Sequence, residues 1–253
     1  MIEVWDVTLP ELTGEEKRRV YVYLPLQAMY GDGQRFPVLY MFDGHNVFFD
    51  SDATYGKSWG MGEYLDAHRV PLIVAAVECN HDPNNGRISE YAPYSLSSRY
   101  IGEVEGRGEK TMDWLIHNFK SEIDRRYPTI PDREHTFIAG SSMGGLMSLY
   151  AVSCYNAVFS RAAALSPSLD CEPKKLKGLI RTAAMKPDTV LYMDMGEMEC
   201  SRSGMQRFWH FARLMAERSR VTARIVPDGR HCEASWEKQI PFFLPTLLYE
   251  LEE

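Results

Sequence analysis

The chain has 253 residues and a mass of 29.0 kDa, with 45% apolar residues and a formal net charge of −7. That size and apolar content suit one domain spanning residues 1–253, and the acidic balance argues against nucleic acid or an anionic membrane as partner. No apolar run approaches the roughly 20 residues that span a bilayer, and the opening Met1-Ile2-Glu3-Val4-Trp5-Asp6 carries acid where a secretory leader carries base, so a cytoplasmic location is expected.

Two β-branched, alternating runs open the chain, Ile2 to Thr8 and Arg18 to Leu24. They are separated by a turn containing Gly14 and predict an antiparallel pair. Short apolar runs follow at Val38 to Phe42, Leu72 to Val77, Thr136 to Ala139, Ala162 to Leu165, Val190 to Met193 and Thr222 to Val226. Their length and bounding Gly, Pro or Asp residues suit strands buried on both faces of a parallel sheet. Helical patterns lie between them at Gly108 to Tyr127, Met143 to Tyr155, Arg202 to Ser219, and from about Ala234 to Leu251. Alternating strands and helices imply right-handed crossovers and a mostly parallel, doubly wound α/β sheet. Two stretches look irregular, Asp43 to Gly60 and Asn80 to Gly108; in open α/β sheets such loops gather beyond the carboxyl ends of the strands, where ligands bind.

The strand Thr136 to Ala139 runs into Gly140-Ser141-Ser142-Met143-Gly144-Gly145, and a helix follows. This is G-x-S-x-G between a strand and a helix, the setting of a nucleophile elbow. By chance the pattern arises in roughly one chain in ten of this size, so the context carries the argument. A turn that sharp leaves no room for side chains two residues to either side of the nucleophile. Ser142 has Gly140 and Gly144 there, whereas Ser141 has Ala139 and Met143. The following helix start would favour a developing oxyanion.

A triad on such a fold reads Ser, then acid, then His along the chain. Past Ser142 the histidines are His210 and His231. His210 lies inside a helical pattern, whereas His231 follows the last strand through Pro227-Asp228-Gly229-Arg230, where a base belongs. Asp194, Glu197 and Glu199 all follow Val190 to Met193 and all qualify as the acid. The oxyanion hole would combine the Met143 N–H with an amide from Gly44 or His45, Gly44 allowing close backbone approach to the ligand. Asp43, Asp50 and Asp52 fit no cation-loop spacing and are expected to be solvated turn acids. The five cysteines (Cys79, Cys154, Cys171, Cys200, Cys232) show no zinc-type spacing and read as reduced thiols. No metal or organic cofactor is expected.

The segments Met41 to Phe48, Trp59-Gly60-Met61, Arg87 to Pro93, Ala139 to Leu146, and His231 with Trp236 together resemble an esterase family of α/β-hydrolases. That family includes enterochelin-type esterases, feruloyl and acetylxylan esterases, S-formylglutathione hydrolases and mycolyltransferases. The resemblance covers nearly the whole chain and implies the α/β-hydrolase fold. It matches Ser142 and His231 to the nucleophile and base. The family's acid lies three residues after a glycine at its strand end, which selects Glu199 after Gly196. The family commonly has Gln where His45 stands and Asp where Ser89 stands. A serine esterase acting on a small-molecule carboxylic ester is then expected, with Trp59, Arg87 and Tyr91, and also His81 and Tyr94, as pocket residues by position. Arg87 could equally hold its loop by a buried contact. An acyltransferase with the same triad, a thioesterase or peptidase, and a non-catalytic binding protein on the same fold are the alternatives; the physiological ester and the oligomeric state are not encoded legibly.

Overall fold

The apolar runs read from the sequence all become strands, and the reason lies in how each divides its side chains. In Val38–Met41 (β3), Val38 and Tyr40 join one hydrophobic cluster while Leu39 and Met41 join another. Ile73–Val77 (β4) divides the same way, so these strands are buried on both faces. The computed structural model describes residues 1–30, 33–98 and 101–249. Its main sheet also contains Ile2–Leu9 (β1), Gly14–Tyr23 (β2), Thr136–Ser141 (β5), Arg161–Leu165 (β6), Val190–Gly196 (β7) and Arg220–Val226 (β8). The order across the sheet is β1-β2-β4-β3-β5-β6-β7-β8. β1 and β2 pair antiparallel, as expected, and β2 joins β4 antiparallel; every later pairing is parallel.

Helices cover both faces. On one lie Gly108–Trp114 with its continuations Leu115–Lys120 and Ser121–Arg126 (α2), Met143–Cys154 (α3), Pro173–Thr182 (α4) and Arg202–Ala216 (α5). On the other lie Met61–His68 (α1) and Ile240–Leu248 (α6). Each fully buried Leu, Ile or Phe removed from water on these faces contributes about 1.5–3 kcal/mol. This is the α/β-hydrolase architecture.

Two helices escaped the sequence reading. α1 buries Met61 and Leu65, and α4 buries Leu176 and Ile180, each a single apolar pair at i, i+4 with a glycine inside the helix. So narrow a stripe is weak evidence of periodicity. The segment Asn80 to Gly108, read as irregular, contains a short helix Gly86–Glu90 and a hairpin of Leu96–Ser98 with Gly102–Val104. The last helical pattern divides into Glu233–Glu237 and α6, which starts afresh with Pro241 in its first turn; the end of the predicted helix at Leu251 lies outside the described residues.

The sheet order places the site. From β3 the chain goes one way to β4 and the other way to β5, so the order reverses between β3 and β5. The loops leaving the carboxyl ends of these two strands carry His45 and Ser142, and a crevice forms at such a switch point.

Candidate active site

Ser142 sits where β5 turns into α3, with φ 58° and ψ −120°, a conformation that L-residues rarely adopt. The turn is held by Ser142 N–H donating to Leu165 O at 3.0 Å and by its own carbonyl accepting from Leu146 N–H and Ser168 N–H, both at 3.0 Å. Gly140 is required here, because a Cβ on it would lie 2.7 Å from the Gly144 carbonyl carbon. The first bond of α3 is Leu146 N–H to Ser142 O, so the N–H groups of Met143, Gly144 and Gly145 have no partner within the helix. Unpaired N–H groups at a helix start favour negative charge nearby.

His231 and Ser142 line one cavity of about 340 Å³. The serine hydroxyl is half-buried and lies 3.5 Å from Ser168 Oγ. Among the described hydrogen bonds none joins it to His231, and catalytic hydrogen bonds of this kind commonly tighten only when substrate binds. His231 Nδ1 lies 2.5 Å from Glu199 Oε2. Burial opposes charge on Glu199, but hydrogen bonds from His231, Ser166 Oγ (2.6 Å) and the Gly196 N–H outweigh it and hold the carboxyl below its usual range. An ionised carboxylate only accepts. The proton of a neutral His231 is thereby fixed on Nδ1, and Nε2 is left as an acceptor facing away from Glu199.

Of the three candidate acids, geometry brings Glu199 alone to His231. Asp194 is 1% exposed and accepts from Tyr192 OH at 2.9 Å and Ser166 N–H at 3.3 Å. Glu197 is exposed and accepts from the Asp228 N–H. His210 is exposed on α5.

The turn after β3 adds a reason for Gly44 and overturns the sequence reading of Asp43. Gly44 is glycine because of the neighbouring strand: a Cβ there would lie 2.9 Å from the backbone carbons of Ala76 and Val77. Asp43 is not a solvated turn acid. It is 6% exposed, adopts φ 57°, and is gripped by Arg87 through Nε and Nη2 at 2.6 and 2.7 Å. Burial disfavours its charge, and the guanidinium overrides that and keeps the carboxyl below its ordinary range. Asp50 instead accepts from Ser58, and Asp52 from Arg19 and Tyr21.

Pocket residues placed by position are sorted sharply. Arg87 and His81 line the cavity, but the Arg87 guanidinium is spent on Asp43. Tyr91 is 2% exposed, and its hydroxyl accepts from the Asp43 N–H at 3.2 Å, so it supports the turn from behind. Trp59 is 3% exposed and packs against Trp236 and Phe243 in the core. Tyr94 donates to Cys171 O at 2.9 Å. A sequence reading missed Ser166, which has φ 42° and links Glu199 to the Trp236 indole N–H (2.9 Å). Trp236 also meets His231 edge to face at 5.1 Å. Glu233 was missed too; it is 5% exposed in the cavity wall, and burial raises its carboxyl pKa. Only Pro167 after Ser166 hinted at a special turn.

A larger cleft of about 570 Å³ lies at the opposite, amino-terminal ends of the strands, lined by Ser160, Arg161, Val190 and Arg220. Among its described lining residues none is a histidine.

The chain matches known proteins over most of its length. The family model described as "Putative esterase" matches residues 12–248. The chain belongs to that esterase family. It is 26% identical over 187 residues to an uncharacterized protein, YbbA, of Bacillus subtilis (strain 168), covering 72% of this chain and 69% of that protein. Among solved structures it superposes on the BES protein from Bacillus cereus with a TM-score of 0.75 at 17% identity, over 97% of this chain and 94% of the other. An IroE-like serine hydrolase from Shewanella oneidensis gives 0.72 at 18% identity, over 93% and 77%. Family membership supports ester hydrolysis, and no helix among the described residues is long and apolar enough to cross a membrane.

Proposed function

We propose that this esterase-family protein hydrolyses a small-molecule carboxylic ester through an acyl-Ser142 intermediate. The observation that carries the reading is the pairing of His231 Nδ1 with Glu199 at 2.5 Å while Ser142, at its strained turn, opens into the same cavity as that histidine. Ser142 Oγ attacks the acyl carbonyl as His231 Nε2 takes its proton, and the imidazolium then protonates the leaving alcohol. Water, deprotonated by the same nitrogen, attacks the acyl carbon and releases the acid and free Ser142. The Met143 N–H and an amide of Gly44 or His45 hold the oxyanion. Glu199 fixes the tautomer and steadies the imidazolium. A cavity of about 340 Å³ is at the lower end of ligand sites and suits a small ester.

The test is hydrolysis of p-nitrophenyl acetate and butyrate by wild type and Ser142→Ala, with fluorophosphonate labelling mapped by mass spectrometry. Turnover lost in the variant and label on Ser142 are expected. Undiminished turnover in a folded Ser142→Ala protein would overturn the assignment.

A further inference from the structure

One cluster of side chains on the cavity wall has metal-ligand chemistry that the acyl transfer does not use. β3 and β4 are hydrogen-bonded neighbours. His45 comes from the turn after β3, and Cys79 and His81 follow β4 two residues apart. One ligating atom from each of the three lies within 4.8 Å of the other two. The rings of His45 and His81 meet edge to face with centroids 5.0 Å apart.

A second observation points the same way. His45 is 5% exposed; its Nε2 pairs with Thr54 Oγ1 at 3.0 Å, yet its buried Nδ1 has no hydrogen-bond partner among the described residues. Buried polar atoms are seldom left without one. Neither the ester chemistry proposed above nor the packing of the turn uses that nitrogen.

We propose that His45 Nδ1, Cys79 Sγ and a ring nitrogen of His81 form a site for a soft divalent metal ion of the zinc class. Two imidazoles and a thiolate are the donor set such ions prefer. Thr54 supplies the outer partner that fixes the ring of a ligating histidine. On binding, the Cys79 thiol releases its proton to solvent and the sulfur pair bonds to the metal. The ion with its thiolate keeps one positive charge, beside the Asp43 and Glu233 carboxylates of the same cavity. Tetrahedral coordination brings ligand atoms to about 3.5 Å of each other. His81 is exposed and free to close that distance, while the two buried ligands stay in place. Three protein ligands leave a fourth position for water or a substrate group.

The site does not depend on Ser142 being a nucleophile, and neither does its test. Chelator-treated protein would be titrated with Co²⁺ and followed by absorption. A thiolate-to-cobalt charge-transfer band is expected, with visible bands of tetrahedral intensity, both bleached when Zn²⁺ is added. Ser142→Ala should show the same spectrum. Cys79→Ser should lose the charge-transfer band, and His81→Ala, at an exposed position, should bind at least about tenfold more weakly. Absence of the band in wild type would overturn the proposal. So would an unchanged band in Cys79→Ser, which would trace it to another of the five cysteines, or unchanged affinity in His81→Ala.

Discussion

Arg87 grips both carboxylate oxygens of Asp43, at 2.6 and 2.7 Å, across 44 residues of sequence. Arg87 is itself held, because its helix Gly86–Glu90 ends on Glu90, which forms a buried pair with Arg18 of β2. The chain of contacts therefore runs from the antiparallel edge of the sheet to the turn that carries Gly44 and His45.

Removing Arg87 leaves Asp43 charged and nearly buried. Breaking a buried pair from one side costs about 3–5 kcal/mol, and the partial exposure of Arg87 (30%) puts this case at or below the lower end. Arg87→Ala should lower the unfolding free energy by about 2–3 kcal/mol, and it should lower kcat more than it raises KM, since the turn is displaced. The double variant with Asp43→Asn should recover part of the lost stability in a double-mutant cycle. Additive effects in urea unfolding would show that the pair is not coupled.

Glu199 and Ser166 should separate by magnitude. With Glu199→Gln the histidine loses its tautomer and its counter-charge, and a fall in kcat of about 10³-fold or more is expected. Ser166→Ala leaves Glu199 on His231 but deprives the nearly buried Trp236 N–H of its acceptor. A stability loss of about 1–3 kcal/mol is expected, with a decrease in kcat of about tenfold and KM little changed. Stopped assays of both variants on one ester check the ranking.

Asp194 gives a pH dependence of known sign. Burial, with Glu199 nearby, pushes its carboxyl up to about 7, against about 3.9 in an unfolded chain. The folded protein thus keeps a proton that the unfolded chain releases. The group's contribution is whole below about pH 4 and is lost as pH rises through about 7. Asp194→Asn should be nearly neutral at pH 4 and stabilising by up to about 4 kcal/mol at pH 8. Equal unfolding midpoints for the variant and wild type at pH 8 would contradict this.

The two elbow glycines should not be equivalent. A Cβ at Gly140 meets the Gly144 backbone at 2.7 Å, whereas one at Gly144 meets the Phe42 side chain at 3.1 Å. At 2.7 Å the Gly144 backbone must shift, whereas at 3.1 Å the fixed Phe42 Cβ has to give by only a few tenths of an ångström, so Gly140→Ala should cost more than about 3 kcal/mol and abolish activity. Gly144→Ala should fold with a cost of about 1–2 kcal/mol. Thermal unfolding and fluorophosphonate labelling of the two variants test the order.

Sequence alone determined the parallel core of the sheet, the antiparallel opening pair, and the positions of Ser142 and His231. Those features rest on local rules: unbroken apolar runs for strands buried on both faces, and glycines at ±2 where a sharp turn has no room. Glu199, Asp194 and Glu197 were equivalent on those rules, and the resemblance alone singled out Glu199. Only the tertiary structure brought Glu199 to His231 and sent Asp194 to Tyr192. It likewise turned Tyr91 and Trp59 from pocket residues into supports of the site, put Arg87 in the cavity wall with its guanidinium on Asp43, and brought His45 to Cys79 and His81. Apart from the Tyr192–Asp194 pair, which sits at i, i+2 on one strand, these relationships join segments far apart along the chain, and their meeting is set by the reversal of strand order between β3 and β5 and by the packing behind the loops. Spacing along the chain carries no trace of such distances.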